Sequence, residues 1–181
     1  MTPKRWAVGI LAVIVTVAAT NWLYAGRPVS SALGADSRNE VFTIRAHLRF
    51  YVNPTSLVLD LRKVEEPGVA PVELMRGIIQ TAEAFSSRRR KFNKVTLSRR
   101  GNAVYELSGE DYYELGIESA VGQNPLYMVR TFPEKLYLTD GRPAFGRWTG
   151  GILGVTSEQM SDVTEAMHTW VSGGDRLFGE N

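Results

Sequence analysis

The sequence predicts an α+β domain, a mainly antiparallel sheet with two principal helices packed on one face, preceded by an N-terminal hydrophobic export or anchor segment. Three observations carry this reading. Phe42, Ile44, Ala46, Leu48, Phe50 and Val52 alternate with Thr43, Arg45, His47, Arg49 and Tyr51, the period-two pattern of a half-buried strand. Leu74, Met75, Ile78, Ile79, Ala82 and Phe85 recur at helical spacing. Lys4 and Arg5 precede an almost unbroken apolar run from Trp6 to Ala19, the order of charge and hydrophobicity found in secretory signals.

The totals bound what this chain is. At 181 residues it holds one ordinary domain and an export segment. An apolar fraction of 44% and a charged fraction of 22% belong to a globular domain rather than a disordered chain or a polytopic membrane protein. The net charge of +2 resides in Lys4 and Arg5; the remainder balances 19 basic against 19 acidic residues. Such a neutral domain lacks the basic excess of a protein that coats nucleic acid, so nucleic acid is not an expected partner. The absence of cysteine excludes disulfides, thiolate metal sites and a cysteine nucleophile. No Asn-x-Ser/Thr glycan acceptor with x other than Pro occurs. An exported chain with neither device fits a bacterial envelope better than a eukaryotic secretory pathway.

Residues 1–25 read as a signal-anchor or a signal peptide. Trp6 to Tyr24 as a helix spans about 28 Å, close to a bilayer core of roughly 30 Å. Trp6 at one end, and Trp22 and Tyr24 at the other, suit the two membrane interfaces, with Asn21 at the outer boundary. Cleavage sites follow Ala19 and Ala25, but Val17 and Leu23 stand where a small residue is preferred. The anchor is the favoured reading: a single-pass cytoplasmic-membrane protein with its C-terminal domain outside, in the periplasm. Secretion after cleavage is the alternative. Residues 26–39, rich in Gly, Ser, Ala and Pro, read as a flexible linker. A single α+β domain then occupies 40–174, with a tail at 175–181.

Within the domain, the strand from Phe42 to Val52 turns at Asn53-Pro54-Thr55-Ser56 into a second strand, Leu57 to Val64. Pro67-Gly68 breaks the chain, and Pro71 opens the helix that ends in Arg88 to Arg90. Val95 and Leu97, the turn Arg99-Arg100-Gly101-Asn102, and Val104 to Leu107 make a second hairpin. Ser108, followed by Asp111, starts a short helix to Ala120, which Gly116 weakens. Leu126 to Phe132 fits strand or helix, and Leu136 to Thr139 reads as a strand. Thr156 with Gln159 forms a capping box for a final helix, whose buried stripe is Met160, Val163, Met167, Trp170 and Val171. Gly173-Gly174 end it.

Two candidate binding surfaces follow. Arg88, Arg89, Arg90, Lys91, Lys94, Arg99 and Arg100 make a local basic patch if the helix end and the hairpin turn lie together. Such a patch suits an anionic lipid surface, another polyanion or an acidic protein partner; its plainer reading is a solvated helix C-terminus. Gln123, Asn124, Tyr127, Arg130 and Trp148 combine amides, aromatic rings and one cation, as a small-ligand site does. The plainer reading there is a loop satisfying its own backbone. Arg45, His47 and Arg49 form a smaller cationic stripe.

Catalysis has little to rest on. His47 and His168 are the only histidines and have no metal-ligand spacing; no HExxH, GxSxG or Walker-type loop occurs, and neither metal nor cofactor is expected. His168 reads as a boundary or core residue of the last helix. Glu106, Glu110, Asp111 and Glu114 supply carboxylates for glycan or peptide hydrolysis, or simply a solvated helix start. The sequence therefore favours a non-enzymatic binding or assembly module, with an envelope hydrolase or a small-ligand binder as alternatives.

Overall fold

The computed structural model describes residues 3–65, 69–149 and 152–174. Its first helix changes character along its length. α1 (Pro3–Asn21) passes through a π turn (Trp22–Gly26) into α2 (Arg27–Gly34). Val8, Ile10, Leu11, Val13, Ile14 and Val15 are each more than half exposed. From Asn21 onward one stripe of the same helix is buried: Asn21, Ala25, Val29 and Leu33. A four-residue spacing drifts by about 40° per step around an α-helix. The π turn holds more residues per turn, takes up part of that drift and keeps the stripe on the domain.

This junction replaces the flexible linker expected over 26–39. The segment is α2 followed by a 3₁₀ turn (Ser37–Val41), and both dock on the domain. Composition misleads here because two apolar side chains at the right phase suffice. Burial of Val29 and Leu33 contributes ~1.5–3 kcal/mol each. Buried Asn39 then donates to the Leu33 carbonyl at 3.0 Å and to Gln80 Oε1 at 2.7 Å. Pro28 has no N–H, which leaves the Tyr24 carbonyl without its α-helical donor. Arg90 Nη1 supplies a hydrogen bond to that carbonyl, and its guanidinium lies over the Tyr24 ring.

The sheet has the order β1-β2-β3-β4. β1 (Phe42–Arg49) and β2 (Asn53–Val64) are antiparallel, as are β3 (Lys94–Arg99) and β4 (Asn102–Ser108). β2 and β3 are parallel, joined through α3 (Pro71–Ser86). The first strand stops at Arg49, short of the expected Val52, and Phe50–Val52 form the loop instead. Asn53–Ser56 is not the turn but the irregular start of β2. Leu48 pairs with Leu57 and Arg49 with Asn53, so Pro54, Thr55 and Ser56 bulge from that ladder. Asn53 Oδ1 holds the bulge by accepting from the N–H and the hydroxyl of Thr55.

One sheet face, with Ile44, Leu48, Leu59, Leu61, Leu97 and Leu107, packs with Ile78, Phe85 and Trp170 in the core. Helix α4 (Gly109–Ala120) begins under the Ser108 cap and crosses α3 closely. A Cβ at Gly116 would stand 2.4 Å from the Ala82 carbonyl oxygen, and one at Gly109 only 1.7 Å from that of Phe92. The glycine that weakens α4 in isolation is what admits it to the fold.

The ambiguous stretch is helix α5 (Pro125–Thr131), capped by Asn124. The strand expected at Leu136–Thr139 reduces to isolated bridges from Tyr137 to Glu106 and Pro143, because the turn at Asp140-Gly141 and the proline leave no longer ladder. Helix α6 (Ile152–Ser172) starts before Thr156. Gln159 bonds Glu134 and, with Thr156, receives Arg130, so tertiary contacts take the residues that spell a capping box. Gly173 and Gly174, at φ 83° and 87°, end the helix. His168, expected at the core boundary, is exposed. Pro67-Gly68, Gly150-Gly151 and the tail 175–181 lie outside the described residues.

Candidate functional site: the end of the domain beside the first helix

Strand direction fixes what lies at each end. β1 starts where α2 has ended and runs back along the helix until Asn21 Oδ1 accepts from the Leu48 N–H at 2.7 Å. That bond also caps an edge-strand donor that would otherwise be open to pairing. β2 and β3 run the other way, so the β3–β4 turn lies at the far end. α3 returns, and the Asn93 N–H donates to the Thr55 carbonyl at 2.7 Å beside the β2 bulge. The end nearest α1 therefore collects the β1–β2 loop, the C-terminus of α3 and the start of α4.

This topology divides the expected basic patch. Arg88, Arg89, Arg90, Lys91 and Lys94 are at the near end; Arg99 and Arg100, five and six residues along from Lys94, are at the far end. A strand rise of about 3.3 Å per residue puts roughly 16 Å between the groups. Several members have structural duties. Arg99 donates to the carbonyls of Leu61, Arg62 and Val171, tying β2 and α6 to β3. Lys94 pairs with Glu106 at 2.6 Å, and Arg90 pins the first helix. Arg88 caps α3 by donating to the Ala84 carbonyl at 2.6 Å, and Lys91 lies over the Tyr113 ring. Arg88, Arg89 and Lys91 are exposed, with Arg89 at φ 53°.

The same end also carries acid. Lys91 shares a groove of about 560 Å³ with Glu110, Tyr113, Glu114 and Glu118. The outcome is a mixed-charge rim rather than a single positive field. Of the carboxylates proposed for hydrolysis, Glu106 faces Lys94 on the sheet, whereas Asp111 accepts from the Ser108 hydroxyl at 2.5 Å and shares Lys135 Nζ, 3.3 Å away, with Glu114, which lines the groove with Glu110.

Among the polar and aromatic loop residues, Gln123, Asn124, Tyr127 and Arg130 adjoin one another, but most of their polar groups are engaged within the protein. Asn124 Oδ1 accepts from the Leu126 and Tyr127 N–H groups as an N-cap, and Trp148 Nε1 donates to Asp162 on α6 at 2.6 Å. Arg130 lies over Tyr127 and reaches Thr156. Gln123 lines a cleft of about 570 Å³ whose walls include Arg38, Val72, Arg76, Ile79 and Met128. Arg76 and Gln80, one turn apart on α3, are the sequence signal for that cleft. The opposite sheet face carries His47, Arg49, Val58, Thr96 and Glu106 around an open depression of about 320 Å³, which Phe50 and Tyr51 of the β1–β2 loop also border.

Among the described residues, one helix is long and apolar enough to cross a membrane, Val8–Gly34, with a mean hydropathy of 1.8 over its most apolar stretch; signal sequences share this property. No family model matches the chain, and no match was found among curated proteins or solved structures.

Proposed function

We propose that this chain is a non-enzymatic, single-pass membrane protein whose domain is mounted on the bilayer surface and serves as a binding or assembly module for a protein partner there. The observation that supports this reading is the helix junction. An exposed apolar helix runs into the domain core with no flexible joint, and Asn21 is already buried at the point where exposure ends. A domain delivered by a disposable signal has no need of such a joint. A domain that must be presented in one orientation does. Lys4 and Arg5 would hold the N-terminus in the cytoplasm and place the domain on the outer side.

The deciding measurement is the intact mass of the native protein from membrane and soluble fractions. The expected result is a full-length chain in the membrane fraction. A soluble chain lacking its N-terminal segment would overturn the anchor, and the junction predicts where that cut would fall. Cleavage after Ala25 would strip buried Asn21 and Ala25 from the fold and leave the Leu48 N–H without its acceptor, whereas the peptide bond after Ala19 is exposed.

A further inference from the structure

We infer that the β1–β2 loop, Phe50-Tyr51-Val52, is a second membrane contact that enters the bilayer interface beside the first helix; this rests on the anchor reading. The loop is in the right place. Leu48 is level with Asn21, and the chain continues two to four residues beyond it toward the exposed apolar part of α1. Phe50, Tyr51 and Val52 are 74%, 52% and 61% exposed, and Trp22 and Leu23, just on the domain side of Asn21, are 52% and 55% exposed. A bilayer whose surface meets the helix near Thr20 must meet this loop as well.

The loop is also built at a cost that an aqueous turn would avoid. Phe50 and Tyr51 adopt φ of 54° and 63°, the left-handed region that turns normally fill with Gly or Asn. Side chains kept there in spite of strain mark a position selected for its side chains. Arg49 lies over the Phe50 ring at 5.1 Å, and His47 stacks on Tyr51 at 4.9 Å, which orients both rings and sets the Arg49 guanidinium against the first of them. Exposed aromatic rings beside an arginine are the composition of a membrane interface. The occupant is the lipid interface itself, because the loop lies alongside the apolar helix that a bilayer would surround.

The absence of cysteine makes the test direct. Full-length Phe50→Cys, Val13→Cys and Asn102→Cys proteins, each carrying an environment-sensitive fluorophore, are reconstituted into phosphatidylcholine nanodiscs containing lipids with quenchers at shallow or deep acyl positions. The expected result is deep quenching at position 13, shallow quenching with a blue shift at 50, and neither at 102. Quenching at 13 with position 50 indistinguishable from 102 would overturn the loop contact and leave the anchor standing. No quenching at 13 would overturn both.

Discussion

Asp36 gathers more partners than any other carboxylate near the helix junction. Its oxygens accept from Arg38 through backbone and guanidinium, and from Gln80 at 2.9 Å, with Arg76 Nε 3.5 Å away. The Arg38 hydrogen bond, opposed by partial desolvation and assisted by Gln80, holds this carboxyl well below the usual carboxylate range. A carboxylate depressed in the folded state contributes stability that is fully present above the unfolded value, about 3.9, and lost as pH falls below it. The full-length protein and its Asp36→Asn variant, unfolded by urea in detergent across a pH series, should therefore differ most near neutrality. The gap should narrow below about pH 4. A gap that stays constant down to pH 2 would remove Asp36 from the account. Nothing in the sequence marks this residue, because its partners on α3 lie some forty positions away.

At the level of elements, patterns confined to one stretch of chain were legible and those needing a second were not. The alternation in β1 and the stripe on α3 announce themselves because one face of each meets the core. Gly116 has the opposite history: its sequence meaning is helix weakness, and only the Ala82 carbonyl across from it shows why nothing larger fits. The basic patch failed as a unit for the same reason, since Lys94 and Arg99 are neighbours in sequence but stand at the two ends of β3. The β1–β2 loop yields a prediction of its own. Replacing Phe50 and Tyr51 by Asn and Gly relieves left-handed strain of ~1–2 kcal/mol per residue, against ring contacts worth ~0.5–1.5 kcal/mol each. The double variant of the full-length chain in detergent should resist urea better, by on the order of 1 kcal/mol. A lower midpoint would mean that the loop is not strained in the way argued.

For the whole molecule, the candidate surface follows from which end of the sheet the first helix leaves. A partner at the bilayer surface would meet the near-end rim of Arg88, Arg89, Lys91 and the acidic start of α4, and not Arg100 at the far end. A photo-crosslinking residue in place of Arg89 should therefore capture a discrete neighbour in native membranes, while one in place of Arg100 should not. Charge reversal at Lys91 should lower that yield several-fold with the thermal midpoint unchanged. Equal capture from both positions would count against a directed surface. This surface could not be read from the sequence, because the segment that fixes it has the composition of a linker.

The π turn at Trp22–Gly26 has a mechanical meaning as well as a geometric one. A string lets its load spin; a shaft with a keyway does not. With the buried stripe running through the turn and the bare apolar helix leading into it, the rotational phase between α1 and the domain is locked. In a bilayer, a neighbouring helix that grips one side of α1 would bring the same side of the domain to bear every time. Lengthening the helix by a single residue at Thr20 would swing that side away by about 100° without touching the domain's own fold. The anchor would then act as an angular reference, and the domain as a pointer set against it.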